Sequence, residues 1–239
     1  MMRSTTRAAV ALSACVLLAA CGAPVQDARP TVRIAEAVQP SPVRALDRIL
    51  PTSEELATVL GPNGMMGQRV QGGPDMLLAS VGAADATPAD CVGPTYRLQR
   101  TVYDAGPVQS VASQSWAGGS LEAPPVSGFF GVVQFSSAAD AQAFFAEAAD
   151  KWHRCNGQAL VLNQPDHGAQ RASRITDVTV NGHMVSAMVL QDSGSMSQRA
   201  LGVAADCVVD VEVSDINGLG GPRGAASVAR VMLEKVGAA

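Results

Sequence analysis

The three histidines are the first place to look for metal chemistry. His153, His167 and His183 are scattered along the chain, and none lies four residues from another metal ligand. A zinc site needs three or four such side chains brought together, usually with some of them at short spacing. The sequence therefore predicts no bound metal, and we expect no cofactor.

Two acidic residues could serve as a catalytic pair. Asp210 and Glu212 alternate along one predicted strand, and Arg199 lies opposite Glu212 on the neighbouring strand. No partner acid or positioned water can be argued for them, so we predict a solvated cross-strand ion pair instead. The G-x-S-x-G, P-loop and H-E-x-x-H motifs are absent from the sequence, and we expect a protein that is not an enzyme.

A glycine-rich segment at residues 218–224 resembles a dinucleotide-binding loop at first sight. Arg223 occupies the position of the third glycine, and the strand before it belongs to a predicted hairpin rather than to a parallel βαβ unit. The segment is therefore predicted to be a turn followed by a helix that Pro222 opens.

Aromatic side chains are few, with two Trp, two Tyr and five Phe. Trp116 and Tyr103 lie beside loops rich in glycine and proline, which makes them our candidates for a ligand cleft. Packing at the edge of the core is the alternative for both residues.

The start of the chain predicts export and lipid anchoring. Arg3 and Arg7 precede an apolar run at residues 8–20, which is too short for a membrane span and typical of a signal peptide. The run ends in the residues LAACG, which resemble a bacterial lipobox with Cys21 as the lipidated residue. An ordinary signal-peptide cleavage nearby is the alternative.

These features predict a signal peptide at residues 1–20, a lipidated cysteine and flexible linker at 21–45, and one domain at 46–239. The linker is rich in proline and small residues. We therefore expect the protein to lie on the outer face of the plasma membrane, which it would contact through its lipid anchor.

Composition limits the class of partner. The chain has 239 residues, of which 47% are hydrophobic, and a formal net charge of −4. Removal of residues 1–20 takes away two arginines and no acid, which leaves −6. Because no basic excess is present, we expect no nucleic-acid partner, and we expect a monomer.

The elements that would position these residues begin with a helix. Thr52 and Glu55 fit a capping box at its start. Residues 61–94 show no clear periodicity, so we predict them to be mostly irregular. Extended segments are predicted at 97–104, 107–116 and 128–135. A second helix follows Ser136 or Ser137 and ends at Asn156 and Gly157, and its apolar face comprises Ala141, Phe145, Ala148, Trp152 and Cys155.

The C-terminal third is predicted to form hairpins and a closing helix. A strand at 158–163 precedes an Asn181-Gly182 turn that would place Val178 opposite Val185. A second turn at Ala205 and Asp206 pairs Val203 with Val208, Arg199 with Glu212 and Ser197 with Ser214. One face of this hairpin is lined by small residues that would let the closing helix approach, and the apolar stripe of that helix comprises Ala225, Val228, Ala229, Met232 and Val236. The predicted fold is α+β, with a mainly antiparallel sheet of about six to eight strands and helices packed on it.

Four landmarks stand together in this order: DCVG at 90–93, FF to WHRC at 144–155, QRAL at 198–201 and VVDV at 208–211. The chain resembles the mycobacterial PknH-like extracellular sensor domain family. The resemblance implies an extracytoplasmic domain with a central antiparallel sheet, a cleft for an unidentified ligand and no known catalytic residues.

The resemblance also implies how the cysteines pair. The family usually has two disulfides, of which the first matches Cys91 and Cys155, whereas Ser197 and Ser214 occupy the positions of the second. We predict that Cys207 is a buried free thiol, although the sequence leaves open its pairing with either of the other two.

Three functions are compatible with these features. The first is non-catalytic binding of a cell-envelope ligand, such as a lipid, a glycan or a peptidoglycan fragment. The second is an accessory lipoprotein that docks on another envelope protein without a small ligand. The third is an envelope hydrolase, which the lack of a visible activated nucleophile disfavours.

Overall fold

A computed structural model describes residues 42–82, 84–118, 126–163, 170–215 and 224–238. Within these residues nine strands form one sheet in the order β1-β3-β4-β9-β8-β7-β6-β5-β2, and neighbouring strands are antiparallel. The strands are β1 Met65–Gly72, β2 Ala86–Thr87, β3 Val108–Gly118, β4 Val126–Phe135, β5 Ala159–Leu162, β6 Arg171–Asn181, β7 Met184–Gln191, β8 Met196–Ala204 and β9 Cys207–Asp215. The predicted α+β class is confirmed, with slightly more strands than expected.

Five α-helices lie among the described residues, in addition to short 3-10 turns. They are α1 Ser53–Val59, α2 Val92–Thr95, α3 Arg100–Tyr103, α4 Ala138–Cys155 and α5 Ala225–Ala238. Helix α4 packs on one face of the sheet and α5 on the other, where it contacts mainly β8 and β9. None of the helices in the described ranges is both long and apolar enough to cross a bilayer.

The helix predictions are confirmed at their caps and apolar faces. The Thr52 hydroxyl accepts from the Glu55 backbone N–H, and the Glu55 carboxylate accepts from the Thr52 N–H. Ser137 caps α4, and Gly157 follows the helix with a φ of +80°. The predicted apolar stripes of α4 and α5 are buried.

The predicted register of the β8–β9 hairpin is confirmed, including the opposition of Ser197 and Ser214. Its small residues have the predicted effect, because a Cβ on Gly202 would lie 2.7 Å from the Leu233 side chain of α5. The glycine therefore allows the helix to approach the sheet closely.

The prediction that residues 61–94 are mostly irregular was wrong, because β1, β2, two 3-10 turns and the start of α2 form within them. Strand β1 pairs with β3 at one edge of the sheet, and its burial does not alternate regularly. Strand β2 has only two residues and pairs with β5 at the opposite edge. The local sequence carries no periodic signal for either strand. Hydrogen bonds from the neighbouring strand position each segment instead.

The extended segment predicted at 97–104 was also wrong. Leu98 has a φ of +47°, and the chain then turns into helix α3. A buried carboxylate fixes this path, because the Leu98 N–H donates to Asp210 Oδ2 at 2.8 Å. The contact spans 112 residues of sequence and could not be predicted from the local pattern.

The hairpin between β6 and β7 exists, but its predicted register was wrong. Val185 pairs with Val180 rather than Val178, and Asn181 pairs with Met184. The turn therefore has Gly182 and His183 as its central residues, with Gly182 at a φ of +57°. An irregularity between Thr176 and Thr179 then shifts the register further along the strands.

The core has two clusters, one on each face of the sheet. The first lies under α4 and contains the Cys91–Cys155 disulfide, and the second lies under α5 and residues 46–56. The predicted disulfide is confirmed, with a Cα–Cα distance of 5.7 Å.

Cys207 is free and buried, as predicted. Burial, followed by the negative charge of Asp206, raises the pKa of its thiol to about 12. The thiol is therefore neutral at physiological pH, which suits a packing role.

The described part of the predicted linker, residues 42–45, contacts the domain. Arg44 Nε lies 2.8 Å from the buried Asp206 carboxylate in the β8–β9 turn. The Arg44 backbone N–H also donates to Gln134 Oε1 at 3.0 Å. The predicted signal peptide, Cys21, and the loop with Pro222 lie outside the described residues.

Candidate functional site

The larger of two described cavities lies at the ends of β3 and β4, beside β1 and β9, and residues from both faces of the sheet line it. This sheet cavity has a volume of about 420 Å³, within the usual size range of small-molecule sites. Its charged lining residues are Arg97 and Glu212. Its other lining residues include Met65, Met66, Ser115, Trp116, Ser127 and Phe129.

Strand register explains how these side chains come together. Ser115 of β3 pairs with Phe129 of β4, which pairs with Glu212 of β9, so the three side chains form one row. The next row begins at Met65 on the sheet edge and continues across Ala117 to Ser127. These two rows, which are successive on the same face of the sheet, therefore form the base of the cavity.

A glycine at the β1 edge of the cavity lies against Ser115. A Cβ on Gly67 would collide with the Ser115 hydroxyl. The glycine therefore allows the backbone of β1 to approach the Ser115 side chain closely.

An arginine from outside the sheet forms one wall. Arg97 Nη1 donates to Glu212 Oε1 at 2.6 Å, and the guanidinium lies 3.9 Å from the centre of the Phe129 ring. The Arg97 side chain is 31% exposed. The ion pair and the cation–π contact together hold the guanidinium at the cavity with part of it accessible.

A buried ionic cluster lies beside this wall. Arg199 Nη2 is 2.9 Å from Asp210 Oδ1, and Arg199 Nη1 is 4.0 Å from Glu212 Oε2. Arg199 also donates to the backbone oxygens of Val211 and Gly93. The prediction that Arg199 and Glu212 form a solvated pair was wrong, since Arg199 is 1% exposed and its nearer carboxylate is Asp210.

Asp210 connects the cluster to Leu98, which precedes α3, and to Tyr103, which lies in α3. Its Oδ2 accepts from the Tyr103 hydroxyl at 2.9 Å and from the Leu98 N–H at 2.8 Å. Burial, and then the charge of Asp210, raise the pKa of Tyr103 well above its ordinary value. Tyr103 is therefore a neutral donor to a buried carboxylate.

The structure does not bring the two predicted cleft residues together. Trp116 lines the sheet cavity, although it is 4% exposed and packs in the core cluster under α5. Tyr103 is 1% exposed, lies in the cluster under α4 and stacks on Phe144 at 4.7 Å. It lines neither cavity described here.

The smaller helix cavity lies between α4 and residues 89–105 and has a volume of about 190 Å³. Its walls are mainly apolar and include Phe144 and Trp152, with Asp90, Glu147 and Lys151 also lining it. Lys151 pairs with Glu147 at 2.7 Å. The charges near this cavity therefore already have partners.

Sequence reasoning missed Arg97, Phe129, Ser115 and Met65 as site residues. Phe129 lies in a segment predicted only to be extended, and Met65 lies in a segment predicted to be mostly irregular. The pairing of β1, β3 and β4 places Met65, Ser115 and Phe129 together, and contacts with Glu212 and Phe129 hold Arg97 beside them. Across the described ranges, no group of three His, Cys, Asp or Glu side chains is arranged to hold a metal ion.

The antiparallel sheet with helices on both faces defines an α+β domain, with a cavity at one end of its sheet. A family model described as the PknH-like extracellular domain matches residues 41–235. The chain therefore belongs to the PknH-like extracellular domain family.

Known relatives agree with this assignment. The serine/threonine-protein kinase PknH of Mycobacterium bovis is 28% identical over 184 residues, which are 72% of this chain and 28% of the kinase. PknH of Mycobacterium tuberculosis is 27% identical over 194 residues, 73% of this chain and 28% of the kinase. The chain thus spans less than a third of the kinases that it matches.

The crystal structure of the extracellular domain of PknH from Mycobacterium tuberculosis has the same fold. It superposes with a TM-score of 0.70 at 23% identity and covers 84% of this chain and 99% of that domain. The family model, which is described as an extracellular domain, indicates an extracytoplasmic, sensor-like domain in this chain.

Proposed function

We propose that this chain is a lipid-anchored extracytoplasmic protein that binds a cell-envelope ligand in the sheet cavity without catalysis. One observation carries the proposal: a cavity of about 420 Å³ combines a fixed, partly accessible guanidinium with hydroxyls and apolar walls. A few polar groups among apolar ones are typical of small-molecule sites. Membership of a family of extracellular domains supports the location.

The ligand class is a lipid, a glycan or a peptidoglycan fragment of the envelope. The test is a thermal-shift and calorimetric screen of residues 21–239, prepared with Cys21→Ala, against purified members of these three classes. We expect at least one saturable ligand that raises the melting temperature. Absence of saturable binding across the three classes would contradict the proposal.

Two variants assign any binding to the cavity. Phe129→Ala removes the ring beneath Arg97 at the sheet cavity, whereas Val102→Ala shortens a side chain at the helix cavity. We expect the first change to weaken binding and the second to leave it unchanged. The reverse pattern would move the site to the helix cavity.

Lipid anchoring at Cys21 is a separate part of the proposal, supported by the lipobox residues and the extracellular family. In cells, the unaltered protein should fractionate with membranes and carry acyl chains on Cys21. The Cys21→Ala variant should lose both the acyl mass and the membrane association. Membrane association that survives in Cys21→Ala would rule out this anchor.

A further inference from the structure

The donors in the sheet cavity all suit one kind of ligand headgroup. Arg97 uses Nη1 for Glu212, and its Nε is buried without a hydrogen-bond partner among the described residues. Among the described residues, Nη2 of Arg97 also has no hydrogen-bond acceptor. Because a guanidinium only donates hydrogen bonds, the accessible edge of Arg97 favours an acceptor, and most strongly an anionic one.

Two hydroxyls lie next to this guanidinium. Ser115 is the direct neighbour of Phe129 across the strands, and Ser127 precedes Phe129 by two residues on the same face of β4. In the described ranges neither hydroxyl makes a hydrogen bond to the protein. Each is therefore available to donate to an oxygen bound at Arg97.

The acidic groups nearby are already compensated. Glu212 lies between Arg97 at 2.6 Å and Arg199 at 4.0 Å, and Asp210 is paired with Arg199 and hydrogen-bonded by Tyr103. Two cations thus face two carboxylates, so the cluster carries no net charge. A ligand anion at the outer edge of Arg97 is not opposed by an unpaired carboxylate there.

The rest of the cavity is apolar and adaptable. Met65 and Met66 line the end at the sheet edge, and Met65 is 79% exposed. Thioether side chains are flexible and fit irregular aliphatic surfaces. Trp116 contributes to the same wall but is almost fully buried, so its ring offers little surface for stacking a sugar.

We infer that the sheet cavity binds a single-chain amphiphile with an anionic headgroup, a carboxylate or a phosphate. The headgroup binds Arg97, Ser115 and Ser127, and the aliphatic chain runs over Ala117 to Met65 and Met66 at the sheet edge. This inference rests on the proposed function and narrows its ligand class.

The test compares headgroups on one chain length by calorimetry below the micelle concentration. The protein is residues 21–239 with Cys21→Ala, so that it carries no acyl chain of its own. Dodecanoate and dodecyl phosphate should bind roughly tenfold or more tightly than dodecanol or dodecyltrimethylammonium. Equal or tighter binding of the neutral or cationic ligand would overturn the inference.

Variants test which residues bind the headgroup and which bind the aliphatic chain. Arg97→Gln should abolish the preference for anionic headgroups, whereas Arg174→Gln, an exposed arginine on β6 outside the cavity, should retain it. Met65→Ser should weaken all chain-bearing ligands without changing the headgroup preference. A preference that survives Arg97→Gln would contradict the assignment, and the headgroup comparison on unaltered Arg97 stays decisive if that variant does not fold.

Two further arms separate this inference from the proposed function. Acetate and inorganic phosphate should bind far more weakly than the amphiphiles, and equal affinity would contradict the role of the chain. If a glycan or peptidoglycan fragment binds at the sheet cavity and no amphiphile does, the proposed function stands and this inference fails. If nothing binds, both fail.

Discussion

At the scale of single residues, the buried ion pair between Arg199 and Asp210 organises the site. Asp210 binds Arg199, the Tyr103 hydroxyl and the Leu98 N–H, and so links β8 and β9 to the chain segment that carries Arg97. Removing one partner of a buried pair is costly because the other charge loses its compensation.

Asp210→Asn should therefore lower the free energy of unfolding by about 3–5 kcal/mol, because Arg199 keeps a buried charge without its nearer carboxylate. Tyr103→Phe removes one hydrogen bond to the same carboxylate and should cost less, about 1.5–3 kcal/mol. Urea denaturation of both variants measures the difference. A loss in Tyr103→Phe that exceeds the loss in Asp210→Asn would contradict this order.

These residues also show what sequence reasoning can and cannot supply. The turn at Ala205 and Asp206 correctly predicted that Arg199 faces Glu212 across the hairpin. Alternation along a strand assigns a side chain to a face of the sheet, but it does not say what covers that face. Gly93 and Leu98 hydrogen-bond to the cluster, but Gly93 lies in a segment predicted to be mostly irregular and Leu98 in one predicted to be extended.

At the scale of elements, a polar contact joins the first and last helices. Lys235 of α5 donates to Glu55 Oε2 of α1 at 2.9 Å and to the Leu50 backbone oxygen at 2.7 Å. Partial burial acts to raise the pKa of Glu55, but the Thr52 N–H and Lys235 outweigh it, and the pKa lies below its ordinary value of 4.5. The folded state therefore favours the charged carboxylate.

A lowered pKa gives stability that is present above the unfolded pKa and is lost as pH falls through the folded pKa. Glu55→Gln should thus be less stable than the unaltered protein at pH 7, and the difference should shrink as the pH falls below 4.5. Glu54→Gln, at the exposed neighbouring position of α1, is the matched control. A difference for Glu55→Gln that stays constant with pH would contradict the assigned cause.

Elements with strong local signals were predictable, and those placed by distant contacts were not. Helices α1 and α4 have side-chain caps, and α5 has a regular apolar stripe, so each was recognised from its own residues. Strand β1 lies at the sheet edge, where pairing with β3 determines its conformation. The cavity was missed for the same reason, since β1 supplies its apolar end.

At the scale of the whole molecule, the fold class, the disulfide and the family followed from the sequence, and the position of the cavity required the sheet. The cavity lies where Arg97 packs beside the row of side chains that β3, β4 and β9 contribute. Family membership supports an extracytoplasmic domain, and the proposed function places a ligand in the sheet cavity.

The measurement that tests this central claim most directly is an NMR titration of residues 21–239 with Cys21→Ala, using each of the envelope lipids, glycans and peptidoglycan fragments. We predict saturable shifts that cluster at Arg97, Ser115, Ser127, Phe129 and Glu212. Shifts that cluster instead at the helix cavity, or no saturable shift with any of these ligands, would contradict the claim that the sheet cavity is the binding site.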